Sequence, residues 1–336
     1  MSQIAPGRRS RWAAIAAAIG LVAFALHAHC ADLSFLAGSD IGDVRHINGL
    51  PWELQYLQEP IPDLGISFSY LNESQYRAPD QPAPWHHARD GGAVQLWAIT
   101  PPDWFHPFEL AIGAGPYVYF DTQSEPPPFG YRDYHSVAEM YTASLRYFTP
   151  LGWFVRLDVT EIHAPGSLDA RILELGFGYR AGPTTGESSA QLHEAQLGVL
   201  AGRTGDSNWN ATQSATYGVE YRQGLGRHVE VSGTWLSEAD GITGRHDGLV
   251  AQVWLTDRFF SPRLTLGIGA GPYVALRTHI AEDGQEAPHA QGVVAMTASL
   301  QLSRRLVARI LWDRAFTNDS LDRDIVLGGL AWSWDW

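Results

Sequence analysis

Leu-Ala-Ile-Gly-Ala-Gly-Pro-Tyr-Val at residues 110–118 returns almost unchanged as Leu-Gly-Ile-Gly-Ala-Gly-Pro-Tyr-Val at residues 266–274. Around the second copy, alternate positions such as Leu264, Leu266 and Ile268 are apolar, and the positions between them are mostly small or polar. Side chains of a β-strand alternate between two faces, so this period of two predicts a strand with a different environment on each face. A long motif that recurs far along the chain also indicates an internal duplication.

Further matches occur in the same order in both halves of the chain. The matching segments are 36–38 with 200–202, 95–97 with 252–254, 142–145 with 297–300, and 167–169 with 320–322. The duplication is therefore expected to cover everything after the first residues. We predict a first repeat at residues 32–181 and a second at 195–336, joined by a linker at 182–194 that is rich in Gly, Thr and Ser.

The first 31 residues have the pattern of a secretory signal peptide. Three arginines within residues 8–11 precede an apolar run at 12–26, which is too short for a confident membrane-spanning helix. Cleavage after Ala31 would remove Cys30, the single cysteine, and would leave a mature chain without disulfides. A lipoprotein signal at Cys30 is the alternative.

Acidic residues outnumber Lys and Arg by 36 to 23, which gives a net charge of -13. This balance disfavours nucleic acid as a partner, because phosphate binding needs clustered positive charge. The sequence contains no phosphate-binding loop, dinucleotide fingerprint or cysteine metal site. We therefore predict no cofactor and no metal site.

Alternating segments bounded by turn residues predict eight strands in each repeat. In the first repeat they lie near 32–39, 50–58, 63–72, 91–100, 107–121, 134–148, 152–163 and 167–180. In the second they lie near 195–203, 213–223, 228–237, 247–256, 262–278, 290–303, 306–316 and 320–335. Short connections alternate with long ones, which is typical of outer-membrane β-barrels.

The apolar parity of these strands is expected to face lipid. Trp153, Val155 and Leu157 share one face of a strand whose other face carries Arg156 and Asp158. A soluble sandwich buries its apolar face, whereas a membrane barrel turns that face outward. Periodicity cannot distinguish the two, but the export signal and the end of the chain favour the membrane barrel.

That end is Leu-Ala-Trp-Ser-Trp-Asp-Trp at residues 330–336, with aromatic residues at alternate positions. It resembles the terminal strand of bacterial outer-membrane barrels, which the barrel assembly machinery reads. Such a strand supplies aromatic rings to the membrane interface. We expect the bacterial outer membrane as the location, and its lipid, its lipopolysaccharide and the assembly machinery as partners.

Sixteen strands can form one wide barrel or two narrow ones, and only the wide form leaves an aqueous channel. The linker is longer than a turn within one continuous wall requires. Small lumen residues also suit narrow walls, although Gly marks bulges in barrels of any size. We predict an all-β fold of two tandem eight-stranded transmembrane antiparallel β-barrels, with one sixteen-stranded barrel as the alternative. The Gly residues assigned to the lumen are Gly113, Gly115, Gly176, Gly178, Gly267, Gly269, Gly271 and Gly329.

Charged residues on the lumen parity are expected to form ion pairs, because an unpaired buried charge is costly. In the first repeat Arg156 is expected to pair with Glu174. In the second, Arg309 is expected to pair with Glu220 or Glu230.

Each repeat resembles the lipid A deacylase group of small outer-membrane barrels. The resemblance rests on Pro-Phe-x-Leu-x-Ile-Gly-x-Gly at residues 107–115, on Val155-Arg156, and on the alternating strand that ends at Tyr179. It covers roughly the latter half of each repeat. It implies hydrolysis of a lipid A acyl chain by a His-x-Ser pair on the penultimate strand and a Glu on the last, all facing the bilayer.

The side chains at the corresponding positions cannot perform this chemistry, and His163 nearby has no Ser two residues after it. We predict no catalytic residue and a non-catalytic structural, lipid-binding or surface-interaction role. A deacylase-like hydrolase is one alternative, and a porin-like channel is another if the repeats form one wide barrel. The positions that answer to the family's His, Ser and Glu are Val159, Glu161 and Leu173 in the first repeat and Trp312, Arg314 and Val326 in the second.

Two weaker candidates lie near the loops. Trp85-His86-His87 with Asp90 could bind a metal, but adjacent histidines point apart on an extended chain, so a solvated loop is expected. Acidic residues near the outer rim could bridge lipopolysaccharide phosphates through divalent cations, although such residues are usually only solvated. These acidic residues are Asp121, Glu125, Glu238 and Asp247.

Overall fold

The computed structural model of the chain is an all-β protein. It describes residues 30–42, 46–77, 87–124, 131–181, 194–206, 214–226, 228–241, 244–276, 290–316 and 322–335. Within these ranges no helix has the length and apolar character needed to cross a bilayer. The predicted signal peptide up to residue 29 lies outside the described residues, as does nearly all of the predicted linker. Cys30 and Ala31 begin the first strand.

Eight strands of the first repeat form a closed antiparallel barrel, called the first barrel. They are β1 (Cys30–Asp40), β3 (Trp52–Ile61), β4 (Leu64–Arg77), β5 (His87–Ile99), β6 (Phe108–Ser124), β7 (Tyr131–Phe148), β8 (Trp153–His163) and β9 (Ala170–Ala181). The ring closes where Leu33 of β1 lies opposite Tyr179 of β9. A short strand β2 (His46–Asn48) pairs with β4, and a short helix α1 (Pro102–Phe105) connects β5 to β6.

The second repeat forms its own closed barrel, called the second barrel. Its strands are β10 (Glu194–Asp206), β11 (Ser214–Gly224), β12 (Val229–Gly241), β13 (Gly244–Arg258), β14 (Leu264–Ala275), β15 (Ala290–Gln301), β16 (Leu306–Phe316) and β17 (Arg323–Asp335). Leu197 of β10 lies opposite Trp332 of β17. The prediction of two eight-stranded barrels is thus confirmed, and the alternative of one sixteen-stranded wall is wrong.

Each barrel has a turn end and a loop end. At the turn end, short connections such as residues 62–63, 149–152 and 302–305 join neighbouring strands, and the first and last strands begin and finish there. The opposite end is the loop end. Several strands extend farther toward the loop end than predicted, because the polar sequence there continues to pair although its alternation is weak. β2 and α1 were not predicted either; α1 begins at a Pro, which suits the first turn of a helix.

Apolar side chains face outward and polar side chains face inward on both barrels. Leu96, Ile112 and Val199 are each about two-thirds exposed, whereas Arg156 and Asp158 are buried. Aromatic residues are exposed around the turn end. The predicted parity is confirmed, and this distribution is that of a membrane barrel, whose outer surface lies in lipid and whose girdles are aromatic. The aromatic residues at the turn end are Trp104, Phe105, Phe108, Tyr147, Trp153, Trp332 and Trp334.

A buried Trp fills each interior at the same place in the repeat. Trp97 and Trp254 each donate an Nε1 hydrogen bond of 2.8 Å to a Ser on the neighbouring strand. The motif glycines Gly113 and Gly269 lie against these two rings, and a Cβ there would come within 2.7 and 2.6 Å of ring atoms. The recurring Gly therefore leaves space for an indole in the barrel interior. This agrees with the expectation that small interior residues suit narrow barrels.

The two barrels contact each other side by side along a surface that we call the seam. Its ring contacts use outward-facing residues that are buried or half-buried because the other barrel covers them. The pairs are Tyr56 with Phe259, Tyr70 with Trp312, and Phe120 with Phe316, with centroid distances of 5.9, 5.0 and 5.0 Å.

We expect Gly113→Ala to destabilise the protein, because the added methyl group must displace the Trp97 ring. Overpacking of this kind costs about 1–3 kcal/mol. Gly92→Ala on the adjacent strand is the matched control, since a Cβ there meets only one backbone oxygen at 3.8 Å. The measurement is the free energy of unfolding in urea, followed by Trp fluorescence in detergent micelles. Equal stabilities of the two variants would contradict the packing role of Gly113.

Candidate functional site

Arg156 crosses the interior of the first barrel. From β8 its guanidinium donates to both Asp158 carboxylate oxygens at 2.8 and 2.5 Å. It also donates to Ser34 Oγ on β1 at 3.0 Å and to Gln55 Oε1 on β3 at 2.5 Å. The predicted pairing of Arg156 with Glu174 is wrong: among the described residues the Glu174 carboxylate accepts no hydrogen bond. Asp158 is the closer partner, because residues two positions apart on one strand have their side chains on the same face.

A second set of charges fills the first barrel at its turn end. Arg146 lies 3.2 Å from Asp32 and 3.1 Å from Glu109. Arg180 contacts the same two carboxylates at 2.7 and 3.0 Å. The four side chains come from β7, β1, β6 and β9, so this cluster joins opposite walls of the barrel.

The second barrel carries a comparable cluster. Glu220 accepts hydrogen bonds from Arg309 and, at 2.8 Å, from Arg222. Of the two partners predicted for Arg309, Glu220 is therefore correct, whereas Glu230 lies 3.3 Å from Arg222. The Arg222 guanidinium also stacks over the Trp254 ring at 4.2 Å. A cavity of about 30 Å³ remains beside this cluster at the turn end.

These clusters determine what the barrel interiors can do. A narrow barrel is filled by side chains, and an aqueous channel needs a wider ring of strands. In the described residues, buried guanidinium and carboxylate groups occupy the bore of both barrels together with Trp97 and Trp254. Over the described residues, both bores are therefore filled by side chains.

A hydrogen-bonded group seals the first barrel at its loop end. Asp121 accepts from Ser167 Oγ at 2.9 Å and from Tyr76 at 3.2 Å, and it lies 3.2 Å from His87 Nδ1. Nucleophilic catalysis needs the serine hydroxyl bonded to an imidazole that a carboxylate orients. Here the serine donates to the carboxylate instead. The group therefore connects strands at the loop end of the barrel, and it lacks the serine–histidine–carboxylate order of a catalytic triad.

The first barrel presents its family-equivalent positions to lipid, but with inert side chains. Val159 and Leu173 are exposed on the outer faces of β8 and β9. Glu161 lies two residues farther along β8 and pairs with Arg171 of β9 at 2.7 Å, and both side chains are exposed. His163 lies 3.4 Å from Asp169. The outer face thus carries an imidazole and carboxylates near the loop end, with no serine beside them in the positions that the resemblance implies.

In the second barrel two of the equivalent positions lie in the seam. Trp312 packs edge-on against Tyr70, and Arg314 is buried with Asp90 at 3.3 Å. Asp90 also accepts a hydrogen bond from Tyr70. Val326 remains exposed. Two of the three positions where the family acts on lipid are therefore covered by the first barrel.

The acidic residues expected near the outer rim are mostly turned inward. Asp121, Glu238 and Asp247 are buried; Glu238 lies 3.1 Å from Arg323, and Asp247 accepts from Ser237 at 2.8 Å. All three carboxylates thus already have partners within the protein. Glu125 and Trp85-His86 lie outside the described residues, and within the described ranges no group of three potential ligands could hold a metal ion.

The seam was not predicted, although the sequence contains a signal for it. Asp90 and Arg314 occupy lipid-facing parity, where a charged side chain in a barrel wall is costly. Phe120 and Phe316 lie on the same parity near the loop end. Opposite charges on lipid-facing positions of two repeats indicate that those faces meet.

We expect Arg156→Ala to destabilise the protein strongly, because Asp158 and its neighbours would remain buried without a partner. Removing one partner of a buried pair costs about 3–5 kcal/mol. Arg171→Ala on the next strand removes the partner of the exposed Glu161, and little change is expected because water screens that pair. Both variants are compared by urea unfolding in micelles. Similar losses of unfolding free energy in the two variants would contradict a larger stabilising role for the interior pair.

No family model matches the sequence, and no curated protein matches it. Among solved structures, Ail, the attachment invasion locus protein of Yersinia pestis, is 13% identical with a TM-score of 0.32, covering 45% of this chain and 96% of Ail. An outer-membrane channel from Pseudomonas putida is 13% identical with a TM-score of 0.22, covering 91% and 94%. The toluene transporter TbuX of Ralstonia pickettii is 9% identical with a TM-score of 0.25, covering 91% and 88%. Such low scores carry no conclusion about function, so the fold assignment rests on the strand pairing of this chain.

Proposed function

We propose that this chain is a non-catalytic protein of the bacterial outer membrane with a structural, lipid-binding or surface-interaction role. The observation that carries the proposal is the filling of both barrels by buried arginine and carboxylate groups, with Arg156 and Glu220 at the centres of the two clusters. A protein whose bores are closed and rigid acts through its outer surface and its ends.

The outward distribution of apolar residues supports the membrane location. Closed barrels satisfy every backbone hydrogen bond within the wall, which is the condition for crossing a bilayer with strands. Aromatic residues around the turn end match an interfacial girdle. In such barrels the short turns face the periplasm and the longer loops face outward. The loop ends would then meet lipopolysaccharide and external partners.

The C-terminal strand supports assembly by the barrel assembly machinery. β17 exposes Leu330, Trp332 and Trp334 on its lipid face and buries Ala331 and Ser333. The alternating aromatic residues that the sequence singles out therefore lie on the surface that a membrane-embedded partner can reach. β17 also closes the second barrel by pairing with β10.

A porin-like channel is disfavoured because each repeat closes on itself, and a lipid A hydrolase is disfavoured by the outer face. Of the corresponding positions, Trp312 and Arg314 face the first barrel instead of lipid. In the first barrel the side chains of Val159 and Leu173 cannot transfer a proton. In the described strands β8 and β9, the exposed imidazole is that of His163, which makes it the residue to test.

We expect the reconstituted protein to show no conductance steps in planar bilayers, because arginine–carboxylate clusters span both bores. A porin reconstituted in the same way provides the positive control for the recording. Reproducible steps from the wild-type protein that scale with its concentration would overturn the filled-barrel proposal and would favour a channel.

Expression of the protein in a Gram-negative host is expected to leave the mass spectrum of lipid A unchanged, since the positions implied by the resemblance hold no nucleophile. The same spectrum is expected from cells expressing His163→Ala, and membrane fractionation verifies that both proteins reach the outer membrane. A mass loss of one acyl chain with the wild-type protein, abolished in His163→Ala, would establish hydrolysis and contradict the proposal.

A further inference from the structure

The seam is tightly closed at its loop end. There Arg314 of the second barrel meets Asp90 of the first at 3.3 Å. Phe120 stacks obliquely on Phe316 at 5.0 Å, and His135 lies 3.2 Å from Asp322. Aromatic and charged contacts together leave the two walls in direct contact at this end.

The seam is closed again at its turn end. Phe260, in the connection between β13 and β14, packs against Trp153 at 5.4 Å and Tyr179 at 5.1 Å. The Tyr56 hydroxyl donates to Asp257 across the seam at 3.4 Å. The barrels are therefore held together above and below a middle section.

That middle section is an apolar cavity of about 250 Å³ between the barrels. The first barrel contributes Leu33 and Leu54, and the second contributes Leu266, Ile268 and Met296. Ile310 also lines the cavity and is 62% exposed, so it stands at a lateral opening toward the surrounding lipid. Among the described residues that line the cavity, the polar side groups are the Tyr56 hydroxyl, the Trp312 indole N–H and the Thr297 hydroxyl, which donates to a backbone carbonyl.

We infer that this cavity binds an acyl chain of a phospholipid from the leaflet at the turn end. An apolar cavity of on the order of 150 Å³ stays dry and accepts a hydrocarbon ring, so a larger apolar space at membrane depth does not hold water stably. Leaving it empty would forfeit the dispersion contacts of its walls. The lateral opening gives access to lipid chains, which are the apolar molecules surrounding both barrels.

The polar groups of the seam select the leaflet. Tyr56, Gln58 and Asp257 are hydrogen bonded together at the turn end of the cavity, where a lipid headgroup would lie. At the other end the route is blocked by Tyr70 and Trp312. A chain that enters through the lateral opening beside Ile310 thus lies in an apolar space, with its headgroup toward the polar groups at the turn end.

The duplication provides a built-in comparison. Leu266 and Ile268 of the recurring motif line the cavity, whereas their counterparts Leu110 and Ile112 in the first barrel are exposed to bulk lipid. The same substitution in the two copies therefore changes the cavity in one case and a free lipid-facing surface in the other. This inference rests on the proposed membrane location and extends it, because that proposal assigns no lipid site.

The test is binding of phosphatidylethanolamine to delipidated full-length protein in detergent, measured by native mass spectrometry. We expect the wild-type protein and Ile112→Trp to hold the lipid equally well. Ile268→Trp fills the cavity, so its affinity should fall by about tenfold or more. Leu266→Phe, with Leu110→Phe as its control, is the smaller change if Ile268→Trp does not give a folded, heat-modifiable band on a gel.

Unchanged binding in folded Ile268→Trp or Leu266→Phe overturns the inference, as does a wild-type protein that binds no more lipid than the detergent background. Tight binding of purified lipopolysaccharide at the same site in place of phosphatidylethanolamine would also overturn it. Fractionation of cells into inner and outer membranes is carried out in parallel. Recovery of the protein outside the outer-membrane fraction would refute the proposed location. Absence of lipid binding by a protein found in the outer membrane would refute only the proposed lipid site.

Discussion

A guanidinium inside a lipid-embedded barrel is removed from bulk water, so it must meet a carboxylate. The interiors of both barrels follow from this constraint. Arg146 and Arg180 share Asp32 and Glu109 across opposite walls of the first barrel, and Glu220 holds the arginines of the second. The ion pairs can form only when the walls are close together. The narrow bores, the glycines that contact the indoles and the indoles that contact the arginines all therefore accompany these ion pairs.

The two copies share one interior feature and differ at an outer position that the seam covers in only one of them. Trp97 and Trp254 occupy equivalent places and make the same hydrogen bond to Ser. By contrast Glu161 of the first copy lies on a free outer face, whereas its counterpart Arg314 is buried against the other barrel. The side chain suited to an outward position depends on whether lipid or the other barrel covers it. The seam uses different strands in the two barrels, so equivalent positions meet different surroundings. At this position the difference in sequence therefore follows the contact between the barrels.

The fold was predictable because both of its determinants are local. Strand alternation identified the walls, and the recurring Gly-x-Gly strand and the length of the linker indicated two rings. Interior partners were less predictable: Arg156 was assigned to Glu174 on the neighbouring strand, although Asp158 on its own strand shares its face and lies closer. The seam could not be derived from periodicity at all. It depends on how two finished barrels pack, and only misplaced charges such as Asp90 hint at it.

Because β1 pairs with β9 and β10 pairs with β17, each barrel closes without a strand from the other. A single polypeptide nevertheless carries both, since only residues 182–193 separate Ala181 from Glu194. Tethering keeps the local concentration of one ring around the other in the millimolar range that short linkers give. A lateral contact too weak to gather independent molecules in a crowded bilayer can then persist. The covalent link thus fixes a one-to-one stoichiometry of the two rings, which separate molecules diffusing in the bilayer would reach only by encounter.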